Sequence, residues 1–344
     1  MAGENRMNGR VKIHPNQQAI THWITLVRNG LGEIKFVKSW QDLKILYDKF
    51  AYFLPRAVGS YEKVGGVPPS IQIEPTNYCN ARCICCSTSR SSRQRGFMDF
   101  ELFKKIIDDA AQSKIKRVHL YLHGEPMLHP KIVEMIGYIK ARKLSIHLTT
   151  NGMLFNRNKI IAILNSNVNF SDHFVFSILG GSKEVHEVTM KRVNHERVIS
   201  NISTFLALRK EYHMNGPVIE TMFYPMPENQ HEVNLYLKTY QGYVDHARVA
   251  SAISSSFSQH NTINEGQNIK PRIKTCSQLW ERLTIFWNGD VTLCPQDIDG
   301  DRVFGNLAKQ SIREVCVNED LLDIKRIHKQ RLFEKLPFCH ACDW

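Results

Sequence analysis

The chain reads as an α/β protein built on a parallel sheet, and three observations predict it. Between residues 69 and 250, short apolar runs alternate with helix-period segments, giving strands and helices in turn. Candidate functional turns fall at the carboxyl ends of those strands, where sites gather in barrel folds. Beyond them, two apolar runs flank Asn288-Gly289, a strong signal for a separate hairpin over 283–294.

Taken in order, residues 1–65 form an N-terminal extension. Helical periodicity appears at 20–27 and 40–53, with a candidate strand at 31–37 between them. The Gly- and Pro-rich stretch 61–69 reads as a linker. No site is read in this extension; a cap on the core or an interface is its expected role. The core spans 66–250. Its strands are expected at 70–74, 116–122, 144–149, 172–178, 217–223 and 244–250. Helices are expected at 99–111, capped by Asp99, and at 130–141, 157–164, 195–212 and 228–240. Residues 251–272 are rich in Ser, Asn and Gln and read as a linker or mobile loop able to cover a site. The remaining domain, 273–344, carries the hairpin and then a helix over 311–331.

Composition narrows the function classes. The chain has 344 residues, 42% of them hydrophobic, as in a globular protein. No apolar run is long enough to span a bilayer, and the N-terminus lacks the apolar core of a signal peptide. A cytoplasmic location without membrane association is therefore expected, and there nine cysteines read as metal or redox ligands rather than disulfides. The net charge of +12 suits an anionic substrate, an acidic electron-transfer partner or nucleic acid. Basic residues are scattered rather than run together, which argues against nucleic acid. The densest group, Arg90, Arg93 and Arg95, reads as a solvated loop.

The chemistry is written in the cysteines. Cys79, Cys83 and Cys86 form a C-x3-C-x2-C pattern just after the first strand. Three thiolates on a short loop can wrap one face of a four-iron cube and leave one iron open. A zinc site fits the same spacing. A second set, Cys276, Cys294, Cys339 and Cys342, frames the hairpin and the chain's last residues. Alone it would be read as structural zinc, and a zinc-stabilised nucleic-acid-binding protein is the reading from another class. That reading leaves the alternating strands and Gly124-Glu125 without a purpose.

The C-x3-C-x2-C loop, with a strand before it, resembles the signature of radical S-adenosylmethionine (SAM) enzymes. His123-Gly124-Glu125-Pro126 resembles that family's Gly-Gly-Glu-Pro turn, with His123 in place of the first glycine. Thr149-Thr150-Asn151-Gly152 resembles its Thr-Asn-Gly turn. Ser177 matches the first residue of its Ser-x-Asp pair, whereas Leu179 replaces the Asp; Arg192 sits where relatives place a basic residue. Cys85 occupies a position usually aromatic and adds a fourth thiol. The segment from Cys276 onward resembles the auxiliary-cluster domain called SPASM in its shortened, twitch form, through the Gly289-x4-Cys294 hairpin, Phe304-Gly305-Asn306-Leu307, 311–315 and Cys339-x2-Cys342. The likeness covers 69–344, roughly four-fifths of the chain.

The resemblance implies an open, six-stranded partial (β/α)6 barrel like part of a TIM barrel, with a small hairpin-plus-helix cluster domain. It implies SAM and two 4Fe–4S clusters as cofactors: one held by Cys79, Cys83 and Cys86, the other by Cys276, Cys294, Cys339 and Cys342. Gly124, Glu125, Asn151, Ser177 and Arg192 are the implied SAM contacts. The implied activity is generation of a 5′-deoxyadenosyl radical that takes hydrogen from a small polar substrate: a sugar, aminocyclitol or nucleotide-sugar. Short relatives include an aminocyclitol dehydrogenase of antibiotic biosynthesis. Net oxidation through the second cluster, as an oxidoreductase, is expected, with a flavodoxin- or ferredoxin-type electron donor. Modification of ribosomal peptides is the alternative. No catalytic acid or base is assigned, although Cys85, Tyr121, His123, Glu220 and Tyr224 are candidates to face the cavity.

Overall fold

The computed structural model describes residues 66–250, 272, 274–340 and 342. Contacts divide the chain into two units, Met1–Glu62 and Lys63–Trp344. The elements expected within 1–65, and nearly all of the 251–272 loop, lie outside the described residues.

The elements of the second unit, in chain order, are strand β1 (Ser70–Ile73), the two-residue β2 (Arg82–Cys83), helix α1 (Phe100–Gln112), β3 (Arg117–Leu120), α2 (Ile132–Ala141), β4 (Ser145–Thr150) and α3 (Arg157–Leu164). Then come β5 (His173–Ser177), α4 (Lys183–Thr189), the two-residue β6 (Met190–Lys191), α5 (His195–Glu211), β7 (Val218–Phe223), α6 (Val233–Tyr240) and β8 (His246–Val249). The C-terminal part contributes α7 (Gln278–Glu281), β9 (Arg282–Ile285), β10 (Asp290–Thr292), β11 (Val303–Asn306), α8 (Ile312–Cys316), α9 (Glu319–Gln330) and α10 (Pro337–His340).

One sheet carries the fold, in the order β11-β10-β9-β1-β3-β4-β5-β7-β8. The six expected core strands, β1, β3, β4, β5, β7 and β8, all run parallel. Apolar faces of the helices close over it. In α1 the buried residues are Phe103, Ile106, Ile107 and Ala110, spaced three and four apart. Asp99 starts that helix as expected, its carboxylate accepting from the N–H groups of Glu101 and Leu102 at 2.9 and 3.0 Å. A buried ion pair ties α2 to the sheet. Lys140 meets Asp172 at 2.7 Å, and Asp172 also accepts from the Ile146 N–H.

The C-terminal domain does not stand apart from this sheet. Strand β9 pairs parallel with β1, Ser70 opposite Arg282 and Ile73 opposite Ile285. The expected hairpin follows: Val291 lies opposite Ile285 across a turn in which Gly289 has φ +89°, a value few side chains tolerate. β11, which the sequence pattern does not announce as a strand, adds to β10. The helix expected over 311–331 is broken in two. Ser311 and Glu314 form a capping box that starts α8, but the Asn318 side chain then accepts from the Leu321 N–H and starts α9 afresh.

Candidate functional site

The cysteine loop sits at the carboxyl end of the parallel strands and is tied down from several sides. β2 pairs antiparallel with β6, Cys83 opposite Met190, and the Ile84 N–H donates to the Thr189 carbonyl at 3.0 Å. The Thr88 hydroxyl donates to the His123 carbonyl at 2.6 Å, and the Cys86 thiol lies 3.1 Å from the Thr88 hydroxyl oxygen. The Glu125 N–H donates to the Tyr78 carbonyl at 2.9 Å. Gly124 is held beneath the loop so closely that a Cβ there would meet the Thr76 carbonyl at 2.1 Å.

The segment after the loop is a clamp, not the solvated loop expected. Arg93 reaches back to Glu74 at the end of β1 with two bonds of 2.9 and 2.7 Å, and its Nε donates to the Ile298 carbonyl at 2.7 Å. Its guanidinium lies 3.6 Å from the centre of the Phe286 ring. Arg95 donates to the carbonyls of Asn77 and Thr88. The physical reason is burial: the Glu74 side chain is 0% exposed and needs a partner. Removing one side of such a pair strands the other. Glu74→Ala is therefore expected to cost about 3–5 kcal/mol, read as a lowered unfolding temperature of the anaerobically prepared protein, with looser iron binding.

Cys79, Cys83, Cys85 and Cys86 form one electrostatic group. Burial pushes the Cys79 thiol up to about 12, helped by Glu125 and Cys86. Cys83 is raised further by burial and then by Cys86, Cys85 and Cys79. Cys85 rises to about 11 through burial and Cys86. Thiols so shifted hold their protons at neutral pH. A bound cation would remove their protons and balance their charge, so the donor set fits iron.

The second set also converges. Burial raises Cys294 well above its ordinary value, with contributions from Cys276, Cys339 and Cys342. Cys339 is pushed up to about 12 by burial, then by Cys276 and Cys342, with Arg272 and Arg302 opposing. His328 is fully buried beside them: its Nδ1 accepts from the Cys276 N–H at 3.4 Å, and its Nε2 has no partner among the described residues. An orphaned donor here fits an acceptor carried on a bound group. Cys316 is buried with Val315 in the apolar core, away from a ligand role. Among the described residues, no three or more His, Cys, Asp or Glu are grouped as for a single metal ion. A multi-iron cluster binds each thiolate to a different metal atom.

Of the implied SAM contacts, Gly124, Glu125 and Asn151 lie against the first loop. Glu125 is buried, and its carboxylate accepts from the Met127 N–H, the Thr150 hydroxyl and the Asn151 N–H at 2.7–3.0 Å. It thus braces the end of β3 to the end of β4. Asn151 carries the brace onward, its side-chain amide donating to Asn80 of the cysteine loop at 2.8 Å. Ser177 ends β5 and is half-buried. Arg192 follows β6, exposed, at φ +70°. His123 is buried and held neutral, its pKa lowered to about 3 by burial and by Arg93.

The inner face of the partial barrel, its lumen side, is polar, which the sequence pattern reveals only in part. Ile71, Val118, Leu120, Ile146, Leu148, Phe174 and Phe176 belong to the apolar core. The alternate positions on the other face are Gln72, His119, Tyr121, His147, His173 and Val175. His119, His147 and His173 stand opposite one another on adjacent strands, with ring centres 5.2 and 6.2 Å apart. His173 Nδ1 bonds Glu220, which also meets the Arg248 Nε at 2.5 Å. Arg117, Arg282 and Arg248, from strands on both flanks of the sheet, all act on His147. Tyr224 is near both Tyr121 and Cys85, which links the lumen to the loop. The signal that could have found this lumen is the run of polar residues at alternate positions in β3 and β4.

Comparison with known proteins agrees with this geometry. Residues 73–234 match the model of the radical SAM superfamily, and residues 276–343 match that of an iron–sulfur cluster-binding domain, SPASM. A cofactor-modifying protein for tungsten-containing aldehyde ferredoxin oxidoreductase, from Pyrococcus furiosus, is 27% identical over 150 residues, 43% of this chain and 41% of that protein. The chain thus spans less than half the length of that curated relative. Among solved structures, BtrN in complex with AdoMet and 2-DOIA has a TM-score of 0.55 at 16% identity, covering 80% of this chain and 93% of BtrN. Streptococcus suis SuiB bound to its precursor peptide SuiA also has a TM-score of 0.55, at 14% identity, covering 81% of this chain and 71% of SuiB. At these identities the likeness is one of fold.

Proposed function

Because this chain belongs to the radical SAM superfamily and carries a C-terminal iron–sulfur cluster-binding domain, we propose that it oxidises a small, polar, hydroxylated substrate held in the barrel lumen. The two domains imply SAM and two 4Fe–4S clusters. Cys79, Cys83 and Cys86 would hold the first cluster, and Cys276, Cys294, Cys339 and Cys342 the second. Bound together, SAM and the reduced first cluster supply a carbon-centred radical that takes one hydrogen atom from the substrate. When bound, the C-terminal cluster would accept the second electron while the hydroxyl proton passes to solvent, which would complete a two-electron oxidation to a carbonyl. A flavodoxin- or ferredoxin-type protein is the proposed electron donor.

The chain's own residues do the placing. Gly124, Glu125, Asn151, Ser177 and Arg192 are the proposed SAM contacts. Glu125 acts through the brace it makes with Thr150 and Asn151. The observation that carries the substrate class is the lumen itself: three histidines, Tyr121, Glu220 and arginines line it where apolar side chains would normally fill a barrel. Such walls suit hydroxyl and charged groups. That BtrN was solved with 2-DOIA is consistent with this reading.

Peptide modification is the second reading, favoured by the fold shared with SuiB in its peptide complex. Both make the same first test. Anaerobic incubation with SAM and reductant is expected to yield 5′-deoxyadenosine from a brown protein with about eight irons per chain. A colourless zinc protein that leaves SAM intact would remove both readings. Product analysis then separates them: a keto product from a small hydroxylated substrate supports the first, and a modified peptide the second.

A further inference from the structure

We propose that the lumen contains an oxyanion receptor centred on Arg282, which takes a phosphoryl or carboxylate group of the substrate. This deepens the reading above and rests on it for the word substrate.

Charge is the first argument. Around His147 stand Arg117, Arg248 and Arg282, with Glu220 as the carboxylate acting on the same ring. Glu220 is already engaged by His173 and Arg248. Arg117 is turned to the Ser145 hydroxyl at 3.2 Å and has further contacts. Arg282 is different. Among the described residues no carboxylate pairs with it, in contrast to Arg93 with Glu74 and Arg248 with Glu220.

Geometry is the second argument. The Nη1 of Arg282 reaches only Gln72 Oε1 at 3.4 Å and the Tyr121 hydroxyl at 3.3 Å, both long. Its Nε is buried and has no partner among the described residues. A half-buried guanidinium so weakly engaged leaves its planar fork free for a planar or tetrahedral oxyanion. Tyr121 can donate its hydroxyl to the same group. Gln72 is held in place by its own bond to the Tyr121 carbonyl at 3.0 Å.

Position is the third. Arg282 begins β9, which pairs with β1, and four residues before it Gln278 opens the short helix that follows Cys276. One residue therefore joins the lumen to the segment bearing the second cysteine set. An anion bound there would lie on the strand that leads directly from the second cysteine set.

The test uses the anaerobically purified, cluster-loaded full chain, titrated calorimetrically with inorganic phosphate and, separately, with acetate at low ionic strength. Saturable one-site binding of at least one anion is expected. Arg282→Gln should weaken it at least about 10-fold, the scale of a lost charge-assisted hydrogen bond, and Arg282→Lys should keep part of it. Tyr121→Phe removes only a hydroxyl and should give a smaller loss. Arg326→Gln, on the exposed face of α9, should change nothing. Tighter phosphate assigns a phosphoryl group, and tighter acetate a carboxylate. No saturable binding, or equal affinity in Arg282→Gln and Arg326→Gln, overturns the proposal. Cluster absorbance checks folding throughout. Anion binding lost in Arg282→Gln but with no SAM cleavage in the wild type would sink the enzyme reading and leave the receptor standing.

Discussion

Replacing Cys83 by alanine is expected to lower 5′-deoxyadenosine formation by more than about 100-fold, since even an outer-shell partner of a metal site can be worth 10–100-fold. Cys83 is fixed by strand pairing. It lies in β2, opposite Met190 of β6, and its carbonyl accepts the Cys86 N–H at 3.1 Å. Its thiol is raised by burial and by all of its neighbouring cysteines, so it sits in the middle of the sulfur group. No other side chain on that pairing can replace it without moving the strand. Iron content should fall from about eight to about four per chain if each set holds one four-iron cluster. Cys85→Ala is the discriminating companion. Cys85 packs against the core and feels Cys86, yet lies outside the C-x3-C-x2-C spacing. It should retain both iron and cleavage. Full activity in Cys83→Ala, or loss confined to Cys85→Ala, would overturn the ligand assignment.

Much of this site is legible in the residues alone, and what is not has physical causes. Asp99 and the apolar spacing of α1 announce a helix because the cap and the stripe are local effects. Asn288-Gly289 announces its turn for the same reason. The break at Asn318 is hidden because residues on both sides keep helical periodicity, and only a side-chain bond to the Leu321 N–H decides between one helix and two. Arg93 looks like a solvated residue because its partner lies nineteen positions away at Glu74 and the need for it arises only from burial. The histidines escape notice for a subtler reason. In β4 the half-buried positions alternate with buried ones, which in a sequence usually marks a solvent face. Here the polar side faces inward, onto a lumen made by strands far apart in the chain. Glu125 shows the limit from the other side: its motif is readable, but not that its carboxylate is occupied by Thr150, Asn151 and Met127.

Two kinds of side chain therefore divide the labour around the cysteine loop. Arg93, Arg95 and Glu125 are engaged with backbone and carboxylate partners within the protein. Together they fix a loop of eight residues against β1, β3 and β4. His147 and Arg282 are not engaged in this way. They border the space enclosed by the strands, and among the described residues no carboxylate absorbs the charge of Arg282. The rigid set positions chemistry, and the under-used set is available to a ligand.

Cys342→Ala should separate these functions from the fate of the electron. The second cysteine set lies in the segment whose β9 is zipped to β1, so it is continuous with the barrel and not a detachable appendage. Cys342 is buried and its N–H donates to the Cys339 carbonyl at 3.2 Å, so the thiol closes the group from the C-terminal side. Nothing in the brace of the first loop depends on it. Cleavage of SAM should therefore persist within about 3-fold, whereas product should fall by about 100-fold or more, the upper range for disturbing a metal site. The readout is the ratio of 5′-deoxyadenosine to product, near one in the wild type and large in the variant. Retained product formation would show that the electron leaves by another route. Loss of both would show that the cysteines chiefly hold β9 against β1, and a lowered unfolding temperature with unchanged iron at the first site would identify that outcome.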